Sequence, residues 1–138
     1  MGNYRPAARH GDLVFTAGAT PREGKRLVVT GRVGDTVGVE EASSAAALAA
    51  RRALAAAAEA VGGIDRLGGV VSMTVYIACA DGFTTFAPIA DAATDAIVEA
   101  LPTGPPPARA AIGAQCLPDD APVEVVLVAF AADPEQMP

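Results

Sequence analysis

The stretch PPPARAAIGAQCLPDDAPVEVV, Pro105 to Val126, sets one arginine and one glutamate inside two short, otherwise apolar strand-like runs. Arg109 follows three prolines, and Glu124 opens the apolar run Val123 to Phe130. Charged side chains are rarely buried unless they are paired or functional. Pro118 and the Asp119–Asp120 pair read as a turn, so the two strands are expected to lie near one another in a sheet. Two readings of the charges are then open. An arginine fork facing a carboxylate suits a small anionic substrate held while a proton moves. A structural ion pair at a strand end has the same spacing.

Upstream of this stretch, Val71, Met73, Val75 and Ile77 alternate with Ser72, Thr74 and Tyr76, which predicts a strand over Val70 to Ala78 with one apolar and one mixed face. Phe86, Ile89, Ala93, Ile97 and Leu101 recur at near-helical intervals, and Pro102 closes the helix they define. A longer helix is predicted from Val39 to Val61. Glu40 and Glu41 sit at its positive end, and Gly62–Gly63 is a left-handed stop. Its sheet-facing side is mostly alanine with Leu48 and Leu54, which allows a short helix–sheet distance. Leu13 to Ala17 reads as a strand and Leu27 to Thr30 as its partner, joined by a Pro- and Gly-containing turn over Pro21 to Arg26. Gly31 to Gly38 is a glycine-punctuated loop, and Val123 to Phe130, apolar on both faces after Glu124, is expected to be a central strand. The polar, proline-containing tail from Asp133 is expected to fray.

The order ββαβαββ predicts one α+β domain over residues 1–138, a mixed sheet with two helices on one face. The other face would be bare, which argues for subunit association. Composition agrees. The 138 residues are 51% hydrophobic, enough for a real core, but only 4% aromatic, so that core is built from Ala, Val, Leu and Ile. A net charge of −6 opposes nucleic-acid binding, where Lys and Arg contacts to phosphate supply most of the affinity. MGNYRPAARH lacks an apolar signal core, and the Ala42 to Val61 stretch is interrupted by Arg51, Arg52 and Glu59. A cytoplasmic protein without a membrane span is expected.

Other constellations give little. The glycine pairs at Gly62–Gly63 and Gly68–Gly69 lack the Lys-Ser/Thr and strand–helix context of a phosphate loop. Ser43, Ser44 and Ser72 have only His10 as a possible base, and His10 reads as an exposed turn residue. Asp91 and Asp95, spaced i, i+4, read as a solvated helix face. Cys79 and Cys116 form no CxxC pair, and with a single histidine no zinc set can be assembled from Cys and His. They are expected to be buried, reduced thiols.

Pro107-Ala108-Arg109, Leu117-Pro118 with its acidic turn, and Val123-Glu124-Val125 together resemble the C-terminal signature of the Rid (YjgF-type) family of reactive-intermediate deaminases. Gly11 to Gly18 (GDLVFTAG) is similar to the family's first strand. Asp65-Arg66-Leu67, the strand after it, and Asp81-Gly82-Phe83 continue the match in the expected order. The resemblance implies a chorismate-mutase-like fold and a homotrimer whose sheets pack into a central barrel with clefts between subunits. It also implies hydrolysis of an enamine or imine such as 2-aminoacrylate to a 2-oxo acid and ammonia, with no cofactor and no metal. Arg109 would clamp the substrate carboxylate, and Glu124 would activate the water and return its proton. Gly31 would offer a backbone N–H, and Tyr4 holds the offset from Gly18 of a substrate-contacting tyrosine. Asp91 stands where deaminating members carry an asparagine, and Ala110–Ala111 replaces their frequent Ser and Cys. Both departures, with a longer loop over Phe83 to Ala90, point to a divergent branch. Two alternatives stay open: a non-enzymatic trimer binding small 2-oxo or amino acids, and a ribonuclease-like role that the acidic charge disfavours.

Overall fold

The computed structural model describes residues 2–134; the end of the tail expected to fray lies outside them. Strands β1 (Ala7–His10) and β2 (Leu13–Thr16) form a hairpin closed by Gly11–Asp12, where Gly11 takes a φ of 62°. A separate two-residue hairpin pairs β3 (Arg22–Glu23) with β4 (Arg26–Leu27). Helix α1 (Val39–Val61), strand β5 (Leu67–Ala78), helix α2 (Ala87–Ala100), β6 (Ala108–Ala114) and β7 (Val123–Ala131) follow. The main sheet runs β1-β2-β7-β5-β6, with only β5 and β6 parallel. This is the mixed α+β sheet expected, but two pairings differ. The partner of β2 is β1, not the Leu27 to Thr30 segment, because β1 and β7 occupy both edges of β2. The Arg109 and Glu124 strands are not neighbours. The β5–α2–β6 crossover sets β6 at the sheet edge, and β7 returns along the opposite side of β5, paired from Leu67↔Ala131 to Ile77↔Val123.

Both helices start and stop close to where composition places them. Gly38 caps α1, with Glu41 Oε1 accepting from its N–H, and Gly62 ends it at a φ of 95° while Gly63 N–H donates back to Ala58 O. A side chain at Gly62 would be strained in that left-handed geometry. The buried face of α1 is Ala42, Ala45, Ala46, Ala49, Ala50, Ala53, Ala57 and Ala58 with Leu54 and Val61. It packs on Ile89, Ala90, Ala93 and Ile97 of α2 and on Val123, Val125 and Leu127 of β7. Because methyl groups separate the layers, the elements approach closely and the core fills without large anchors.

The opposite sheet face has no helix over it. Residues alternating with the buried set face outward there, including Leu13 and Phe15 on β2, Tyr76 on β5, Ile112 on β6 and Val126 on β7. Phe15 is 47% and Ile112 44% exposed. Cys79 is half-buried and Cys116 exposed, both free, so the expectation of two buried thiols fails for Cys116, which lies in the loop past the last paired residue of β6. Among the described residues no helix is long and apolar enough to cross a membrane.

Ala49 is fully buried, and three added carbons cannot be housed without moving a neighbour. A49L is expected to lower stability by about 1–3 kcal/mol, read by urea denaturation with an unchanged m-value. A neutral A49L would mean that the alanine face is loosely packed.

Candidate functional site

At the end of β2 the ladder breaks. Thr16 Oγ1, rather than a backbone carbonyl, accepts the Leu127 N–H at 3.0 Å. After Phe15↔Val128, pairing resumes at Ala19↔Val125. One extra residue on the β2 side makes a bulge, which presses the backbone at Gly18 against Glu124. A Cβ at Gly18 would lie 2.6 Å from the Glu124 carboxyl carbon and 2.8 Å from an oxygen, so only glycine fits while Glu124 keeps its place.

Glu124 lies between Val123 and Val125, both fully buried, and therefore points to the face the helices leave bare. It is partly buried, and none of the ion pairs formed among the described residues involves it. Desolvation pushes its pKa above the usual glutamate value. It lines a cavity of about 620 Å³ together with Tyr4, Gly18, Arg22, Lys25 and Arg52. Tyr4 is 61% exposed, an open phenol beside a half-shielded carboxyl.

The other expected residues lie elsewhere. Arg109 pairs with Met73 in register, which puts its side chain on the helix-covered face, opposite to Glu124. Its Nη1 donates to Asp91 Oδ1 at 2.8 Å and Thr94 Oγ1 at 3.0 Å, both on α2. The structural ion pair considered for Arg109 therefore exists, but with Asp91 rather than Glu124. Nε and Nη2 of Arg109 make no bond among the described residues, so one edge of the fork is unused. The pairing also compensates the Asp91 charge that would repel an anion. Gly31, at a φ of 118°, already donates its N–H to Asp120 O at 2.9 Å and does not line the cavity. A side chain at Gly31 would run into the Thr36 hydroxyl.

Arg22, Lys25 and Arg52 escape a reading of the sequence. Arg22 to Arg26 looks like a solvated turn, and Arg52 is distant in sequence. The available signal was a basic doublet in an alanine helix, since a half-buried arginine there requires partners. Among the described residues no group of three or more His, Cys, Asp and Glu side chains is placed to hold a metal ion.

The fold belongs to a known class of small α+β proteins. A family model described as endoribonuclease L-PSP matches residues 1–131, and the chain belongs to that family, the YjgF-type family its sequence resembles. A protein of unknown function from Agrobacterium tumefaciens superposes with a TM-score of 0.89 at 30% identity, over 95% of this chain and 84% of that one. E. coli TdcF, solved with bound serine, gives 0.69 at 22% identity over 96% and 91% of the two chains. The E. coli YjgF gene product gives 0.66 at 23% over 94% and 89%. At such identity the two E. coli structures establish the shared fold. No curated protein matches the sequence.

The Asp91 side chain is 62% exposed, so its bridge to Arg109 is a surface pair. D91N is expected to change stability by less than about 1 kcal/mol, measured by thermal or urea unfolding. A larger loss would make the pair a structural clamp.

Proposed function

We propose that this protein hydrolyses a small enamine or imine of an amino acid to a 2-oxo acid and ammonia, in a cleft formed between subunits of a homotrimer. The observation that carries the reading is the placement of the two charged groups. Arg109 keeps a free guanidinium edge and Glu124 sits unpaired beside a cavity, yet they lie on opposite faces of one sheet with β5 between them. No motion of a folded chain joins them, so a site using both needs Arg109 of the partner subunit. The bare face with Phe15 and Ile112 is the surface whose burial would supply that association.

In this cleft the free Arg109 edge holds the substrate carboxylate by two parallel bonds. The enamine tautomerises to an imine, already electrophilic, so no cofactor is required. Glu124 as carboxylate takes a proton from water while the C–O bond forms, giving a carbinolamine. That proton passes to the nitrogen. Glu124 then takes the carbinolamine hydroxyl proton and delivers it to the same nitrogen as C=O forms and the C–N bond breaks, and ammonia leaves with the 2-oxo acid. Tyr4 donates to the substrate or orders the water. The serine held by TdcF is a ligand of similar size and charge. RNA cleavage, which the family's description carries, is disfavoured by the net charge of −6.

The test is a coupled assay generating 2-aminoacrylate in situ. R109A and R109K are expected to be similarly impaired, because an ammonium cannot replace the fork. E124Q is expected to retain ligand but lose turnover by ~10²–10⁴-fold. Activity needs the carboxylate form, so the raised pKa moves the acid limb of kcat/KM above the ordinary 4.5, with activity falling as pH drops through it. Co-refolding inactive R109A with inactive E124Q in equal amounts should restore activity, since each mixed trimer would carry one cleft with both native residues, roughly a quarter of all clefts formed. Mixed trimers without activity, or a stable monomer in sedimentation, would remove the shared cleft.

A further inference from the structure

The Glu124 cavity is richer in cations than the proposed reaction on a three-carbon acid requires. Arg22, Lys25 and Arg52 all line it, three of the ten basic residues of an acidic chain. Their partners differ. Arg22 Nη2 bonds Asp119 Oδ2 at 2.7 Å, so its charge is compensated. Arg52 Nη1 donates to the carbonyls of Arg22 at 2.9 Å and Gly24 at 3.4 Å, which aim the guanidinium without cancelling its charge. The Lys25 amine has no ion pair among the described residues. With Asp119 and Glu124 both ionised, the lining carries one net positive charge. That matches one carboxylate rather than a doubly charged phosphate. Space agrees. The cavity, at about 620 Å³, is larger than 2-aminoacrylate requires.

We infer that the cavity selects a substrate with two carboxylates, the second of them, remote from the reacting carbon, held by Arg52 and Lys25. The assignment rests on the proposed reaction for the first carboxylate, which goes to Arg109 of the partner subunit, and on the cavity alone for the second. It makes the substrate the imine of a 2-oxo dicarboxylic acid, the kind released when an acidic amino acid passes its Cα hydride to an oxidising cofactor such as a flavin. Arg52 also ties the β3–β4 hairpin to α1, a role that a neutral donor would serve equally. Lys25 has no such tie, so its charge reports on the ligand alone.

Isothermal titration of the full chain with 2-oxoglutarate, 2-oxobutyrate and glutarate tests this. The wild type should bind 2-oxoglutarate more tightly than 2-oxobutyrate, and bind glutarate, which lacks the oxo group, measurably. K25Q should weaken both dicarboxylates by roughly tenfold and leave 2-oxobutyrate unchanged, and R52Q should do the same if its melting temperature is preserved. Equal affinity for the mono- and dicarboxylate, or variants that weaken all three alike, would overturn the inference and leave the proposed reaction standing. Glutarate binding that depends on Lys25, without turnover of any imine, would uphold the carboxylate subsite and sink the reaction. Failure of the wild type to bind either dicarboxylate would overturn the subsite outright.

Discussion

Everything in this fold depends on how closely a helix can approach a sheet when methyl groups line the contact. The α1 face is alanine for nearly its whole length, and α2 answers with Ala90, Ala93 and Ala96. Burying a methyl yields little hydrophobic free energy per residue, so such an interface gains stability by excluding voids over many contacts. It also has little tolerance for change. The helices cover one side of the sheet up to its β6 edge and have no bulky side chains to reach round it. The second face is left to other surfaces, and the charged residues of interest are divided between the two.

Central strand β7 carries that division. Its even-numbered positions look away from the helices and its odd-numbered positions toward them, so Glu124 is committed to the bare face by the same alternation that buries Val123 and Val125. Arg109 is committed to the helix side through its register with Met73. A one-residue slip in β7 would exchange its faces, but it would also expose Val123, Val125 and Leu127. The site is thus fixed by core packing rather than by any contact between the functional groups. The bulge after Thr16 adds the remaining element, moving Gly18 over the glutamate and shielding it from water.

Much of this was legible in the chain. Helix α1 runs between its glycines as expected, and α2 falls within a residue of the periodic apolar set, because local signals determine helix ends. Strand β1 was not legible: Ala7 to His10 is an exposed edge with no alternation to detect, and only the Gly11–Asp12 dipeptide hints at a hairpin. The adjacency of the Arg109 and Glu124 strands failed for a topological reason. A turn between two strands implies neighbours only when no third strand is inserted between them, and β5 comes from much earlier in the chain. The cationic lining was missed because Arg22, Lys25 and Arg52 converge through the packing of a two-residue hairpin on α1, an arrangement with no periodicity of its own.

The scarcity of aromatic residues has an optical consequence. The chain contains no tryptophan and two tyrosines, so when it is excited in the tyrosine band, beyond phenylalanine absorption, its emission comes from Tyr4 and Tyr76. Tyr4 stands in the cavity, and Tyr76 lies on the bare face of β5, opposite Glu124 in register. Neither belongs to the helix-covered core, whose emission would otherwise dominate. Quenching or anisotropy of the native protein therefore reads the cleft and the uncovered face directly, without a label and without altering a residue in either.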